Sequence, residues 1–299
     1  MLQAPRRLVP PALMALMVLG HVGPLAACDV PVYEYALLHW PRQDYSVYYV
    51  HAGAEAPADA EANGLLRRVA EGQEGHANLR FCALNATLAP ASLTPEARYV
   101  LTATRALDRP RHLVVSPKGR AIFSGRLTAQ DVCDLLASPA TDTLADMLTR
   151  GARGVLIVMT DGDDAGSQAA LQVAQSVVNA AADGQPGVGL LPVARQDPRE
   201  SWLVRELLAV EPGLGDMRGP MVFGAYGRCH VTEAYLGKGI NAANLTDLVR
   251  FMQGPCTCDI RAANLGVDLI SNWEWEAHVP GAATLAQPLA PPGYMTLGE

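Results

Sequence analysis

An internal repeat constrains the fold of this 299-residue chain more than any other feature of its sequence. In the first half, the alternating segment 44–53 (DYSVYYVHAG) predicts a buried strand, ADAEANGLLRRVAEG a helix and NLRFCALNA a second strand. The stretch 109–138 follows as proline, strand, turn, strand and a helix capped by Thr128. The second half repeats this order. It runs from the strand 153–162 (RGVLIVMTDG), through helix, strand and helix, to a proline-strand-turn-strand-helix stretch at 219–254. We therefore interpret the chain as a duplication.

The repeated order is that of a thioredoxin-like domain, and both halves resemble that family in topology. Pro110 and Pro220 lie 59 and 60 residues beyond the matched strand positions His51 and Thr160. The resemblance implies a cis peptide bond before each of these prolines. The sequence thus predicts an α/β protein with two tandem thioredoxin-like domains, each a mixed central sheet flanked by helices.

Neither predicted domain has the cysteine pair that thiol–disulfide exchange requires. That chemistry needs Cys-x-x-Cys where the first strand meets its helix, because the helix N-terminus stabilises the thiolate. Here the two junctions read His51-Ala-Gly-Ala and Thr160-Asp-Gly-Asp-Asp. We expect both domains to be redox-inactive at this position, and His51 to be a structural residue.

The N-terminal 27 residues have the pattern of an export signal. Arg6 and Arg7 precede a long apolar run that ends in Leu-Ala-Ala-Cys28. This ending resembles the bacterial lipobox, which implies removal of the signal and lipidation of Cys28, and a plain secretory signal is the alternative. Pro10 and Pro11 shorten the apolar run and disfavour a retained transmembrane anchor.

These patterns divide the chain into five segments. They are a signal peptide (1–27), domain 1 (28–140), domain 2 (141–253), an extension with cysteines and tryptophans (254–280) and a disordered tail (281–299). The runs CDVPVYEYALLHW and GPCTCDIRAANLGVDLI also resemble an uncharacterised family of exported bacterial proteins from planctomycetes and their relatives. That resemblance implies an export address and no activity. The net charge of −7 and the absence of a basic stripe argue against a nucleic-acid partner.

A cysteine cluster is the strongest candidate site. The six cysteines are Cys28, Cys82, Cys133, Cys229, Cys256 and Cys258. The last predicted helix should run back along the final strand and bring Cys256 and Cys258 near Cys229. Three hypotheses compete: a disulfide from Cys229, a Zn²⁺ or Cu⁺ site of the three thiols with His230, and thiols that never meet. The two cysteines of domain 1 other than Cys28 are expected to be buried apolar side chains.

An acidic loop follows the first strand of domain 2. Asp161, Asp163 and Asp164 are either ligands for Ca²⁺ or Mg²⁺ or, the commoner use, residues that cap the next helix. The segment VLIVMTDGDDAGS also resembles the fourth strand of von Willebrand A domains. That alternative implies a metal-dependent adhesion domain around Thr160–Asp164, although the upstream metal loop of those domains is absent from the sequence.

The sequence therefore favours a non-enzymatic protein. No nucleophile elbow, phosphate loop or zinc-protease motif occurs in it. We expect an envelope-anchored binding or assembly protein that faces the periplasm, is held on the membrane by lipid and contacts an unknown envelope protein. We expect no cofactor in that case. A metal-handling or thiol-redox protein using Cys229, Cys256 and Cys258, with Zn²⁺ or Cu⁺ as its cofactor, is the alternative.

Overall fold

Both halves of the chain fold as the α/β domains that the repeat predicts. The structure, a computed structural model, describes residues 30–88, 94–105, 108–162, 164–181 and 187–279. The first elements in chain order are α1 (Val32–His39), β1 (Tyr45–His51), α2 (Ala60–Ala70), β2 (Leu79–Asn85), α3 (Pro95–Ala103), β3 (Arg111–Val115), β4 (Ala121–Gly125) and α4 (Ala129–Leu136). Four described strands have the order β2-β1-β3-β4, with β1 parallel to β2 and antiparallel to β3. This is the topology of a thioredoxin-like domain.

The central strand β1 is apolar on both sides because helices cover both faces of the sheet. All of its residues except His51 are buried. Tyr45 and Val47 pack in a core with residues of α2 and α4, whereas Tyr48 and Val50 pack with residues of α3. Thr128 caps α4 as predicted, through a reciprocal capping box with Asp131.

The second half repeats the architecture around β5. Its elements are α5 (Pro139–Thr149), β5 (Val155–Thr160), α6 (Ala165–Ala180), β6 (Gly189–Ala194), α7 (Ser201–Leu208), β7 (Met221–Tyr226), β8 (His230–Val231), β9 (Tyr235–Leu236), α8 (Ala242–Gln253), α9 (Cys258–Ala263), β10 (Val267–Asp268) and α10 (Trp275–His278). The described strands have the order β10-β8-β7-β5-β6, and β9 pairs with β7. Since β5 lies between parallel β6 and antiparallel β7, domain 2 is also thioredoxin-like, which is at odds with the von Willebrand A alternative.

The final strand of domain 2 differs from the prediction. The sequence predicts one continuous strand from Cys229 to about Leu236, but the structure contains the two short strands β8 and β9. Cys229 has a left-handed backbone conformation (φ 64°) directly before β8. After β8, the backbone N–H of Thr232 donates to the Gly224 carbonyl of β7, and the Thr232 hydroxyl accepts the Gly224 N–H. The ladder is therefore interrupted between β8 and β9.

The N-terminal helix α1 packs against domain 2, although the sequence boundary assigns it to domain 1. Val32 and Ala36 are buried in a core cluster formed otherwise by residues of domain 2 and Cys256. The backbone N–H of Val32 bonds to the Gly254 carbonyl at 2.9 Å. The repeat pattern could not reveal this, because α1 has no counterpart in it.

The C-terminal extension attaches the two domains to each other. Strand β10 joins the sheet of domain 2, and the Trp275 side chain is fully buried in the core of that domain. On the other side, Asn78 of domain 1 bonds to the backbone of Leu269 and Ser271. Strand β10 thus forms an edge of the domain 2 sheet, while the residues just after it contact domain 1.

A tryptophan of domain 2 completes the core of domain 1. Trp202 on α7 is buried in the cluster that contains Tyr45, and its ring contacts Phe123 of β4 with centroids 5.3 Å apart. The Arg205 guanidinium lies over both of these rings. The domains thus share apolar core across their boundary.

The two prolines predicted to follow cis bonds behave differently. The peptide bond before Pro110 is cis, as predicted. The bond before Pro220 is not cis, so that prediction is wrong. Gly219 adopts a left-handed conformation (φ 86°), which only glycine adopts readily, and it turns the chain into β7 without a cis bond. No described helix is long and apolar enough to cross a membrane.

Candidate functional site

The strand–helix junction of domain 1 lies where related folds carry their thiols. β1 ends at His51, and the next three residues are exposed, with Gly53 in a left-handed conformation (φ 76°). Because β3 begins at Arg111 opposite Val50, the loop with Arg109 and cis-Pro110 lies beside His51. We call this surface, residues 51–54 with Arg109 and Pro110, the domain 1 junction.

A buried polar network supports the domain 1 junction from below. The Tyr49 hydroxyl donates to Asp59 at 2.8 Å and accepts the backbone N–H of Ala56 at 3.1 Å. Arg126 forms an ion pair with the fully buried Asp59 carboxylate. Burial acts to raise the pKa of Asp59, but the hydrogen bonds from Arg126 and Tyr49 outweigh it and hold that pKa below its usual range. The Asp59 carboxylate therefore stays charged and, through the Tyr49 hydroxyl, holds the loop at Ala56 in place.

His112 extends this network in its neutral form. Burial lowers the pKa of His112 to about 4. Its Nδ1 accepts the backbone N–H of Leu127 at 3.1 Å, so Nε2 carries the proton and donates to Asn63 at 2.9 Å. This histidine was not predicted as a site residue, because its only signal in the sequence is its place in the strand segment RHLVV.

Two nitrogen atoms at the domain 1 junction are buried without a hydrogen-bond partner in the described structure. They are Nδ1 of His51 and Nε of Arg109. The His51 ring stacks on Tyr49, with centroids 5.2 Å apart and the rings inclined by 16°, so its position is fixed by packing. We expected His51 to be a satisfied structural residue. Buried polar atoms are usually bonded, so these two nitrogens are exceptions, and a ligand could bond to them only after the groups that cover them move.

The corresponding junction of domain 2 is closed by Asp161. Its carboxylate accepts the backbone N–H of Gly219 at 3.0 Å, Arg195 at 3.4 Å and Gln196 at 3.2 Å. Asp164 caps α6, accepting the backbone N–H of Ser167 at 2.8 Å, as the capping hypothesis predicts. Asp163 lies outside the described residues. Both described carboxylates thus serve internal bonds, which does not favour the cation hypothesis.

The cysteine cluster does not assemble. Cys229 is buried in one core cluster of domain 2, Cys256 is buried in a different one, and Cys258 is exposed at the start of α9. Cys229 is a free thiol, and burial raises its pKa. The structure therefore matches the hypothesis in which the thiols never meet. The predicted geometry failed because it required an unbroken final strand.

The proposed fourth ligand of that cluster is also engaged. His230 Nδ1 bonds to the Asp268 carboxylate at 2.6 Å, and its Nε2 bonds to the Leu265 carbonyl at 2.6 Å. In the described part of the chain, no group of three or more His, Cys, Asp or Glu is arranged to hold a metal ion. The structure thus corrects the predicted ligand set of Cys229, His230, Cys256 and Cys258.

The other cysteines also differ from expectation. Cys82 on β2 and Cys133 on α4 are exposed, not buried. Cys82 lies on an edge strand, and Cys133 lies on the outer face of its helix between buried Val132 and Leu135. The predicted lipidation site Cys28 lies outside the described residues.

A second group of perturbed side chains lies where the extension crosses between the domains. Glu206 of α7 is buried and accepts the backbone N–H of Ile270 at 2.6 Å. Burial raises the pKa of Glu206 to about 8, against the opposing effects of that N–H and the Tyr45 hydroxyl. The Asp268 carboxylate, besides His230, accepts the backbone N–H of Gln43 at 2.7 Å. This cluster is not apparent from the sequence, because its members come together only in the tertiary structure.

We interpret this cluster as an attachment between the domains, because its hydrogen bonds join the extension to α7 and to Gln43 of domain 1. Two open recesses have linings that include none of its residues. The first has a volume of about 350 Å³ and is lined by Asp134, Ala137, Pro139, Asp142, Pro198 and Arg199. The second has about 340 Å³ and is lined by Arg67, Ala70, Glu71, Arg80 and Phe81.

The topology of both sheets defines the chain as a protein of two tandem thioredoxin-like domains. No family model matches it, and no curated protein sequence is similar to it. Among solved structures, the first two thioredoxin domains of Saccharomyces cerevisiae Eps1p are 12% identical over 70% of this chain and 92% of that chain, with a TM-score of 0.26.

Two further solved structures show the same low similarity. Zinc-bound human ERp44 is 12% identical over 73% of this chain and 58% of its own, with a TM-score of 0.25. The first two thioredoxin domains of Naumovozyma dairenensis Eps1p are 10% identical over 76% of this chain and 98% of that chain, with a TM-score of 0.26. TM-scores this low do not support the fold assignment, which rests instead on the order and direction of the strands.

Proposed function

We propose that this chain is an exported, lipid-anchored binding protein of the bacterial cell envelope, and that it binds an envelope protein through the domain 1 junction. The address is supported by the N-terminal pattern ending at Cys28 and by the resemblance to exported planctomycete-type proteins. The proposed role is non-enzymatic, because neither junction contains a thiol and the described cysteines form no disulfide.

One observation supports the choice of surface. Among the described residues, the domain 1 junction keeps two buried nitrogens without partners. In the matched junction of domain 2, Asp161 accepts three hydrogen bonds, and one such nitrogen, Nε of Arg195, remains. An Arg Nε is always a donor, and a histidine Nδ1 donates or accepts according to its tautomer. The carbonyl groups of an extended peptide segment suit such donors, and the exposed loop 52–54 leaves room for the segment to approach.

Site-specific photocrosslinking tests this surface. A photoreactive amino acid at Ala52 should crosslink the full chain to one envelope protein in native membranes, and His51→Ala in the same background should reduce the yield severalfold. The same probe at Ala165, an exposed residue at the domain 2 junction, is the matched control and should give little product. Equal yields from both positions, or no effect of His51→Ala, would count against the proposed surface.

Metabolic labelling tests the anchor separately. The full chain should incorporate labelled fatty acid and sediment with membranes, and Cys28→Ser should lose the label. An unlabelled native chain released from cells in soluble form would favour the plain secretory signal.

A further inference from the structure

The outer edge of β2 is the longest strand edge that the described structure leaves uncovered. β2 has seven residues and ends the sheet of domain 1, with β1 as its one strand neighbour. An open edge presents a row of unpaired backbone N–H and C=O groups to any other strand, and proteins usually protect such edges.

The other edges of the two sheets, as far as the structure describes them, are protected. β4 lies against domain 2, where Arg120 donates to the Ala209 carbonyl at 2.8 Å and Phe123 contacts Trp202. β10 has only two residues, and its Asp268 exchanges hydrogen bonds with Gln43 of the other domain.

The edge of domain 2 that corresponds to β2 is blocked by a proline. β6 pairs with β5 as β2 pairs with β1, and Pro192 lies opposite Val158, two residues before the end of β5. Ala83 holds the same place in domain 1, opposite Tyr49 and two residues before the end of β1. A proline fits a paired strand only where its nitrogen faces away from the neighbour. The equivalent register therefore directs the Ala83 N–H outward, to a potential partner strand.

The residues of β2 are compatible with pairing to a second copy of itself. Cys82 is the central residue of the strand and is exposed. A two-fold antiparallel pairing centred there places Cys82 opposite its copy and the large Phe81 opposite the small Ala83. It places Arg80 and its copy about 13 Å apart along the strands, beyond the screening length of about 8 Å at physiological ionic strength. This arrangement avoids both steric overlap and charge repulsion at the centre.

We propose that two copies of this chain form a two-fold dimer by antiparallel pairing of their β2 edges about Cys82. A second copy is the favoured occupant because each chain has a single open edge of this length in its described part. One self-complementary edge per chain gives a closed dimer, whereas two open edges would give a filament.

Sedimentation velocity of the full chain in mild detergent, over a concentration series, tests the dimer. Ala83→Pro copies the block found at Pro192 and should convert the dimer to monomer. Ala83→Ser keeps the N–H and should leave the dimer intact, and circular dichroism confirms that both variants are folded. A native chain that stays monomeric throughout, or a dimer that persists in folded Ala83→Pro, would overturn the proposal.

Crosslinking tests the register. A short bis-maleimide adds to two thiols without an oxidant and should join the native dimer through Cys82, with product lost in Cys82→Ser. A dimer sensitive to Ala83→Pro but without this product contradicts the pairing about Cys82. A chain shortened after Val279 that dimerises when the full chain does not would assign the edge to the segment 280–299, and would also overturn the proposal.

Discussion

Replacing Glu206 by glutamine should remove a large pH dependence of stability. The carboxyl is buried between the domains, and its pKa is raised from 4.5 to about 8, mainly by burial. A raised pKa in the folded state means that stability is fully present below pH 4.5, where both states are protonated. Stability is then lost as the pH rises towards 8, because the unfolded carboxyl ionises and the folded one does not.

The magnitude follows from the shift. Each pH unit in this window removes about 1.36 kcal/mol, so the free energy of unfolding falls by about 3 kcal/mol between pH 4.5 and pH 7. Glutamine keeps the acceptor for the Ile270 N–H and has no charge to bury. Glu206→Gln should therefore match the native chain near pH 4.5 and exceed its stability by about 3 kcal/mol at pH 7.

Urea denaturation from pH 4.5 to pH 8 measures both slopes, with Glu233→Gln at an exposed position as control. The control should keep the native slope. The reasoning fails if the Glu206→Gln variant shows the same decline with pH as the native chain. A loss of stability in Glu206→Gln that grows as the pH rises would mean that the carboxylate, and not the acid, occupies the site.

Three other predictions follow from the buried contacts. Trp275→Ala should lower the free energy of unfolding by about 3 to 5 kcal/mol in urea denaturation, since the ring is fully buried in the domain 2 core, and a loss under 1 kcal/mol would show that the extension is loosely held. Asp164→Ala should cost about 1 kcal/mol in the same assay and Asp164→Asn much less, because the residue caps α6; added Ca²⁺ should leave the native melting temperature unchanged. Cys229 should resist maleimide in the native protein and react after unfolding, as measured by mass spectrometry. The thiols that react in the native protein should include Cys82, Cys133 and Cys258. A fast reaction of Cys229 in the native protein would contradict its burial.

Sequence patterns predicted the elements well where local signals and the repeat agreed. Local sequence was enough to predict the strands β1 and β5 and the helix caps at Thr128 and Asp164. The cysteine site could not be predicted, because its geometry depended on one continuous strand, and the structure breaks that strand between β8 and β9. The position of α1 on domain 2 and the neutral Glu206 were equally inaccessible, since both depend on contacts between segments far apart in the chain.

The duplication allows the two domains to be compared position by position, and their differences locate the surfaces that remain free. At the junctions, the residue after the first strand of the sheet is the exposed Ala52 in domain 1 and Asp161 in domain 2. Asp161 accepts hydrogen bonds from three neighbouring residues. At the edges, Ala83 stands where domain 2 has Pro192. In both comparisons domain 2 has the residue that satisfies or blocks backbone and side-chain groups, and it also receives α1 and Trp275 into its cores. We therefore infer that domain 2 serves as the structural base, and that domain 1 presents the surfaces for binding, at its junction and at the β2 edge.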